Sequence, residues 1–217
     1  MDAHFWHQRW ETNTIAFHQN NANPLLVTYF KELSMAQGSR VFVPLCGKTL
    51  DIAWLLAQGC QVTGVELSEL AVKQLFGELG TEPEITDIGA VKHYHATDID
   101  IFVGDIFDLT RTLLGSIDAV FDRAALVALP EHMRIRYTKH ITDITGNAPQ
   151  LLITYEYDQR LMEGPPFSIS NEELHRHYQD SYVIASLTSV DVTGGLKGIR
   201  DVQEQVWLLK PLTTQQG

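Results

Sequence analysis

The chain has 217 residues, 44% of them hydrophobic and 20% charged, which allows a full α/β core and argues against intrinsic disorder. Its formal net charge of −11 repels polyanions, and no lysine–arginine cluster offsets it, so nucleic acid is set aside as a partner. No apolar run reaches the ~18 residues of a membrane helix, the start Met1-Asp2-Ala3-His4-Phe5-Trp6 lacks the basic and apolar stretches of a signal peptide, and Cys46 and Cys60 have no metal or redox spacing; a reduced, cytoplasmic, membrane-free protein is the expectation.

There are no repeats, low-complexity tracts or linkers, so residues 1–217 read as one domain with residues 1–23 as an N-terminal extension. Residues 24–36 predict a helix, opened by Pro24 and striped by Leu25, Leu26, Tyr29, Phe30 and Leu33. Arg40 to Leu45 is a continuous apolar run of the kind found in a buried parallel strand. A helix over 49–58 stops at Gly59, Cys60 to Glu66 forms a second strand, and Ser68 caps a third helix. Residues 91–95 and 100–104 read as a hairpin or paired strands. Strand 117–121, a helix from Pro130 to Gly146 and strand 151–155 follow. Arg134 to His140 is expected on the solvated face of that helix. Ser170 and Glu173 make a capping box, and two late strands lie near 182–191 and 202–210. The alternation predicts a doubly wound, mostly parallel α/β sheet, with an antiparallel edge from the last two strands.

In such a sheet, ligands sit beyond the C-terminal ends of the strands. The first strand is followed by Pro44-Leu45-Cys46-Gly47-Lys48-Thr49, where Gly47 lets backbone approach a ligand. A plain strand-to-helix turn explains it about as well, and neither a dinucleotide nor a phosphate-loop fingerprint is present. Glu66, at the tip of the second strand, suits a carboxylate receiving the ribose hydroxyls of an adenosyl ligand; an acid favoured by a helix N-terminus is the alternative. Asp105 and Ile106 fit an adenine pocket, one accepting from the exocyclic amine and the other covering the ring; a loop acid beside a core isoleucine explains them equally well alone, and Glu66 tips the reading to adenosine. Arg123 either holds a carboxylate, the cofactor's or a substrate's, or pairs with Asp122 for structure alone.

Phe42-Val43-Pro44-Leu45-Cys46-Gly47-Lys48, Gly64-Val65-Glu66-Leu67-Ser68-Glu69-Leu70, Ile106-Phe107-Asp108-Leu109, Asp122-Arg123-Ala124-Ala125-Leu126-Val127-Ala128 and Gly164-Pro165-Pro166-Phe167, with Trp6, Trp10 and Ala16-Phe17-His18-Gln19 ahead of them, resemble the thiopurine S-methyltransferase family, its bacterial branch in particular. The resemblance spans about the whole chain. It implies a Rossmann-like class I methyltransferase that uses S-adenosyl-L-methionine and releases S-adenosyl-L-homocysteine. It further implies cofactor contacts at Trp10, Leu45, Gly47, Glu66, Asp105, Ile106 and Arg123. Apolar substrate contacts fall at Phe17, Pro165 and Pro166, and the N-terminal extension folds over the site. The implied acceptor is a small molecule, a thiopurine or related aromatic thiol, or a selenium or tellurium (tellurite-derived) species in a detoxification role. One departure is that Gly194-Gly195-Leu196-Lys197-Gly198 offers only Lys197 where eukaryotic relatives carry an arginine.

Thiopurine sulfur is acidic and polarisable, so alignment in a dry pocket replaces a strong base, and Arg123 is the candidate catalytic residue, orienting an anionic acceptor. His93 and His95 alternate on a strand and share a face that could bind metal, but the sequence shows no carboxylate cluster near them, and the expectation is no metal. His175 and His177 are expected at the surface. Nothing suggests an oligomer, so a monomer is expected. A nucleotide-dependent oxidoreductase and a non-catalytic adenosyl-binding protein are the competing classes.

Overall fold

The structure, a computed structural model, describes residues 3–15, 18–19 and 21–212. In chain order it runs α1 (Ala3–Glu11), α2 (Pro24–Tyr29), β1 (Arg40–Pro44), α3 (Leu50–Ala57), β2 (Gln61–Glu66), α4 (Glu69–Leu79), β3 (Glu84–Ile88), β4 (Val91–Ala96), β5 (Ile99–Val103), α5 (Arg111–Leu114), β6 (Ala119–Arg123), α6 (Glu131–Thr145), β7 (Gln150–Glu156), α7 (Asn171–Tyr178), β8 (Tyr182–Asp191) and β9 (Gln203–Pro211). The strands form one sheet in the order β3-β4-β5-β2-β1-β6-β7-β9-β8.

Strands β5, β2, β1, β6 and β7 are parallel to their neighbours within this block. From β1 the chain winds outward through β2 to β5, then returns to lay β6 and β7 on the other side of β1. Strand order therefore reverses between β1 and β6, which is where a doubly wound sheet opens a crevice. The expected antiparallel edge is present as β9 on β7 and β8 on β9. The predicted pairing of residues 91–95 with 100–104 is present as β4 on β5, antiparallel.

Beyond β4 lies β3, an antiparallel edge strand that the sequence reading did not anticipate. Glu84, Ile85, Thr86 and Asp87 are all exposed, so no apolar periodicity marks it. Charge on such an edge also discourages pairing with another chain.

Burial on both faces explains why β1 reads as an unbroken apolar run. Phe42, Val65, Phe102, Val120 and Leu152 pack under Tyr137 and Ile141 of α6 and Leu174 of α7. Val41, Val43, Val62, Ile101, Phe121 and Leu151 pack under Leu26, Ile52, Leu55, Val72 and Leu75 from α2, α3 and α4. The caps behave as their residue types require: Thr49 accepts from Asp51 N, Ser68 from Ala71 N, and α6 ends at Gly146 with φ +65°.

Four expectations need correction. The helix over 24–36 ends at Tyr29 and continues only as a 3-10 turn over Phe30–Leu33. The capping box is half made. Ser170 Oγ accepts from Glu173 N, but the Glu173 carboxylate turns inward to Arg134 Nε at 2.5 Å. Arg134 is therefore buried rather than on the solvated face, and the His177 side chain, only 7% exposed, joins the same carboxylate at 3.2 Å instead of lying at the surface.

Candidate active site

The C-terminal ends of β1 and β6 bound the crevice, and each is followed by a non-glycine residue in the left-handed region: Leu45 (φ +47°) and Ala124 (φ +62°). That conformation costs an L-residue roughly 1–2 kcal/mol and persists only where the surroundings impose it. Gly47, also left-handed at φ +53°, cannot carry a side chain for a second reason. A Cβ there would stand 2.9 Å from Cζ2 of Trp10. Trp10, the buried residue of α1, thus lies directly on the turn after β1.

Glu66 closes β2 with a buried carboxylate. Its Oε2 accepts from Gly47 N and its Oε1 from Ser68 N, both at 2.8 Å. Burial pushes its pKa up, opposed by these backbone donors. A carboxylate has about four lone-pair positions, so two remain for hydroxyl donors. On the adjoining strand Gly104 N donates to Glu66 O at 2.9 Å. A Cβ on Gly104 would meet Val91 Cγ1 at 2.7 Å, so only glycine fits there. Asp105 follows, exposed, with Oδ1 accepting from Phe107 N at 3.0 Å. Ile106 is buried and held by His140 Nε2 against its carbonyl at 2.9 Å.

Arg123 is the charge at the mouth. Its side chain is 10% exposed, and Nη1 lies 3.6 Å from Asp51 Oδ2. The alternative pairing with Asp122 is not found. Consecutive strand residues point to opposite faces, and Asp122 accepts from Tyr137 Oη at 2.7 Å and Leu126 N at 3.1 Å on the α6 side. Burial there raises the Asp122 pKa to about 6.

The Pro165–Pro166 turn is anchored from two directions. Lys197 Nζ donates to Pro165 O and Tyr157 Oη to Pro166 O, each at 2.6 Å. Burial, then the charge of Arg9 on α1, holds the Lys197 ammonium below its usual pKa, which places the 194–198 loop beside the N-terminal helix. Phe17 lies outside the described residues; His18 feels the charges of Lys48, Glu78 and Arg123.

The arrangement gathers a buried carboxylate at Glu66, an enclosed apolar residue at Ile106 and an enclosed guanidinium at Arg123 around the strand reversal. Comparison with known proteins gives the family. A family model described as Thiopurine S-methyltransferase matches residues 1–211. The chain belongs to the thiopurine S-methyltransferase family. Curated relatives named Thiopurine S-methyltransferase are 54% identical in Xanthobacter autotrophicus, with 97% of this chain and 99% of the relative covered, and 49% identical in Teredinibacter turnerae, with 96% and 97% covered. Among solved structures, a Burkholderia thailandensis 1,6-didemethyltoxoflavin-N1-methyltransferase with bound S-adenosylhomocysteine superposes with TM-score 0.66 at 14% identity, covering 96% of this chain and 86% of that one. A methyltransferase from Anabaena variabilis gives TM-score 0.66 at 13% identity, with 97% and 95% covered. At such identity these two attest the fold alone: an S-adenosylmethionine-dependent methyltransferase fold.

As a member of this family the chain is an S-adenosylmethionine-dependent methyltransferase. The residues fit that donor: the Glu66 carboxylate at the tip of β2 has lone pairs beyond its two backbone donors, and the Gly47 turn keeps backbone, not side chain, beneath Trp10. Three site residues escaped the sequence reading. Asp51 is 1% exposed and accepts from Asn23 N at 2.6 Å and Thr49 Oγ1 at 2.9 Å, tying the end of the N-terminal extension under Arg123. Its one local signal is Thr49-x-Asp51 at a helix start. Tyr155 and Glu204 face each other in the β7–β9 register. Burial first, then Glu204, raises the Tyr155 pKa to about 12, and both groups feel Arg123. They are 49 positions apart in sequence, and no local motif joins them.

Proposed function

We propose that this enzyme methylates the sulfur of thiopurines and related aromatic thiols, and that selenium and tellurium species, equally soft nucleophiles, are further acceptors. The names of its relatives support the first acceptor class. The observation that carries the reading is Arg123: an enclosed guanidinium at the strand reversal, only distantly paired with Asp51, is suited to an anionic acceptor.

When bound, S-adenosylmethionine supplies a sulfonium methyl open to in-line displacement. In this reading Glu66 takes the ribose hydroxyls, Asp105 the adenine amine and Ile106 the adenine face. Leu45 and Gly47 make room for the amino-acid tail, and Trp10 roofs it. Residues 1–23 cover the site, and Phe17, Pro165 and Pro166 line the acceptor side. Arg123 orients the acceptor's anionic sulfur while the crevice excludes water. No thiol nucleophile is called for: burial raises the Cys46 pKa well above its usual value, so it stays protonated and inert. We read the chain as a cytoplasmic monomer acting in detoxification; two free, buried cysteines agree with a reducing compartment.

The test is methyl transfer to 6-mercaptopurine, and to selenite- and tellurite-derived acceptors, by wild type, Arg123→Ala and Arg123→Lys. Arg123→Ala is expected to lose about 10²-fold in kcat, with partial recovery in Arg123→Lys. Wild-type turnover by both variants refutes the role of Arg123; transfer to none of these acceptors refutes the acceptor class.

A further inference from the structure

A second polar cluster lies at the other end of the sheet, at the beginnings of β1 and β5 rather than their ends. His93 and His95 share one face of β4, and Asp100 stands directly opposite His95 in the antiparallel register. His93 Nε2 and His95 Nδ1 both approach a single oxygen, Asp100 Oδ1, at 2.7 and 2.8 Å. The other oxygen accepts from Arg40 Nη2 at 2.7 Å, and Arg40 Nε donates to Thr63 Oγ1 at 2.6 Å. The His93 ring is stacked on Phe102, with centroids 4.7 Å apart and planes 12° from parallel. One ligand atom from each of His93, His95 and Asp100 lies within 4.8 Å of the others.

We propose that His93, His95 and Asp100 bind one divalent transition-metal ion, with zinc the best match. Two imidazole nitrogens and a carboxylate oxygen are the donor set that borderline ions such as zinc prefer, and three protein ligands leave a position for water. The His95 side chain is 54% exposed, against 23% for His93 and 19% for Asp100, so the open side faces solvent. Zinc bonds of about 2.0–2.1 Å to tetrahedral donors separate those donors by about 3.3 Å. The two nitrogens therefore retreat from Oδ1 by roughly half an ångström as the ion enters, a motion the exposed His95 ring can make. Each ligating nitrogen gives up its proton, which the ring's other nitrogen can carry.

The rest of the cluster acts on these ligands. Arg40 pins Asp100 from outside, the part an outer-shell partner plays in metal sites, although its charge opposes the ion. Glu84 lies directly across from His95 on β3, on the same sheet face, and supplies a compensating negative charge. Phe102 fixes the plane of His93. In sequence the two histidines have no carboxylate cluster near them. The β4–β5 pairing supplies a single carboxylate, Asp100.

Titration of the full chain with zinc chloride by calorimetry, and with cobalt(II) by visible absorption, tests this. Wild type should bind one ion per chain, with a cobalt spectrum of nitrogen and oxygen ligation. His95→Gln and Asp100→Asn should each weaken binding at least tenfold, while S-adenosylhomocysteine binding is unchanged and reports an intact fold. His95→Gln alters a half-exposed ring and stays informative even if Asp100→Asn destabilises the sheet. No saturable binding by wild type, or undiminished binding by His95→Gln, overturns the site.

Discussion

The crevice depends on a few side chains whose environments set their charge. Glu66 is held by two backbone donors and raised by burial. Glu66→Gln removes a charge and one acceptor, and a hydrogen bond to a charged group is worth about 1.5–3 kcal/mol. The Kd for S-adenosylhomocysteine, measured calorimetrically, should rise by roughly tenfold or more; unchanged affinity would remove Glu66 from the ribose site. Asp122, two strands over on β6, behaves differently. Its pKa is raised to about 6 from an ordinary 3.8 because it is fully enclosed. The folded state therefore holds the proton more tightly than the unfolded chain. This group costs nothing below about pH 4, and the cost grows as pH rises through 6, reaching about 3 kcal/mol at neutrality. Urea unfolding of Asp122→Asn against wild type at pH 4.5 and 7 should show the variant gaining relative stability at the higher pH. A difference independent of pH would contradict the raised value.

At the level of elements, helices α6 and α7 are joined by ions rather than by apolar contact alone. Arg134 and Glu173 are 6% and 10% exposed along their side chains, Arg134 Nη1 also reaches Leu129 O at 2.9 Å, and His177 completes the group. Removing one partner leaves a buried charge uncompensated, at about 3–5 kcal/mol. Glu173→Ala should lower the unfolding free energy from urea titration by that amount, whereas Arg134→Met with Glu173→Leu should recover much of it. These elements were mostly legible in the sequence: Thr49, Ser68, Pro130 and Gly146 mark helix ends through local hydrogen bonding and backbone freedom, which need no distant partner. Strand β3 and the inward turn of Glu173 were not. An exposed strand owes its existence to its neighbour, and a capping glutamate defects when a guanidinium 39 residues away offers a stronger bond.

For the whole molecule, the N-terminal helix, the crevice turn and the Pro165–Pro166 loop converge. Trp10 rests on Gly47, Lys197 clasps Pro165, and Asp51 ties Asn23 beneath Arg123. Trp10→Ala should lower the urea midpoint, because the ring is 4% exposed and packs on the Gly47 turn. Its Kd for S-adenosylhomocysteine should also rise about tenfold, since burying a large aromatic side chain is worth about 1.5–3 kcal/mol. Unaltered affinity would mean that α1 packs on the crevice without closing it.

By itself the sequence determined the alternation of strands and helices and the residues at the strand tips, including Glu66 and Arg123, whereas the reversal between β1 and β6 came with the sheet order. The alternation and the tips rest on periodicity, caps or motifs confined to neighbouring residues. Only the tertiary structure decided what the charged groups face: Asp51 rather than Asp122 for Arg123, Arg134 for Glu173, and Asp100 between two histidines. Electrostatic partnership depends on distance through space, and chain separation does not encode it.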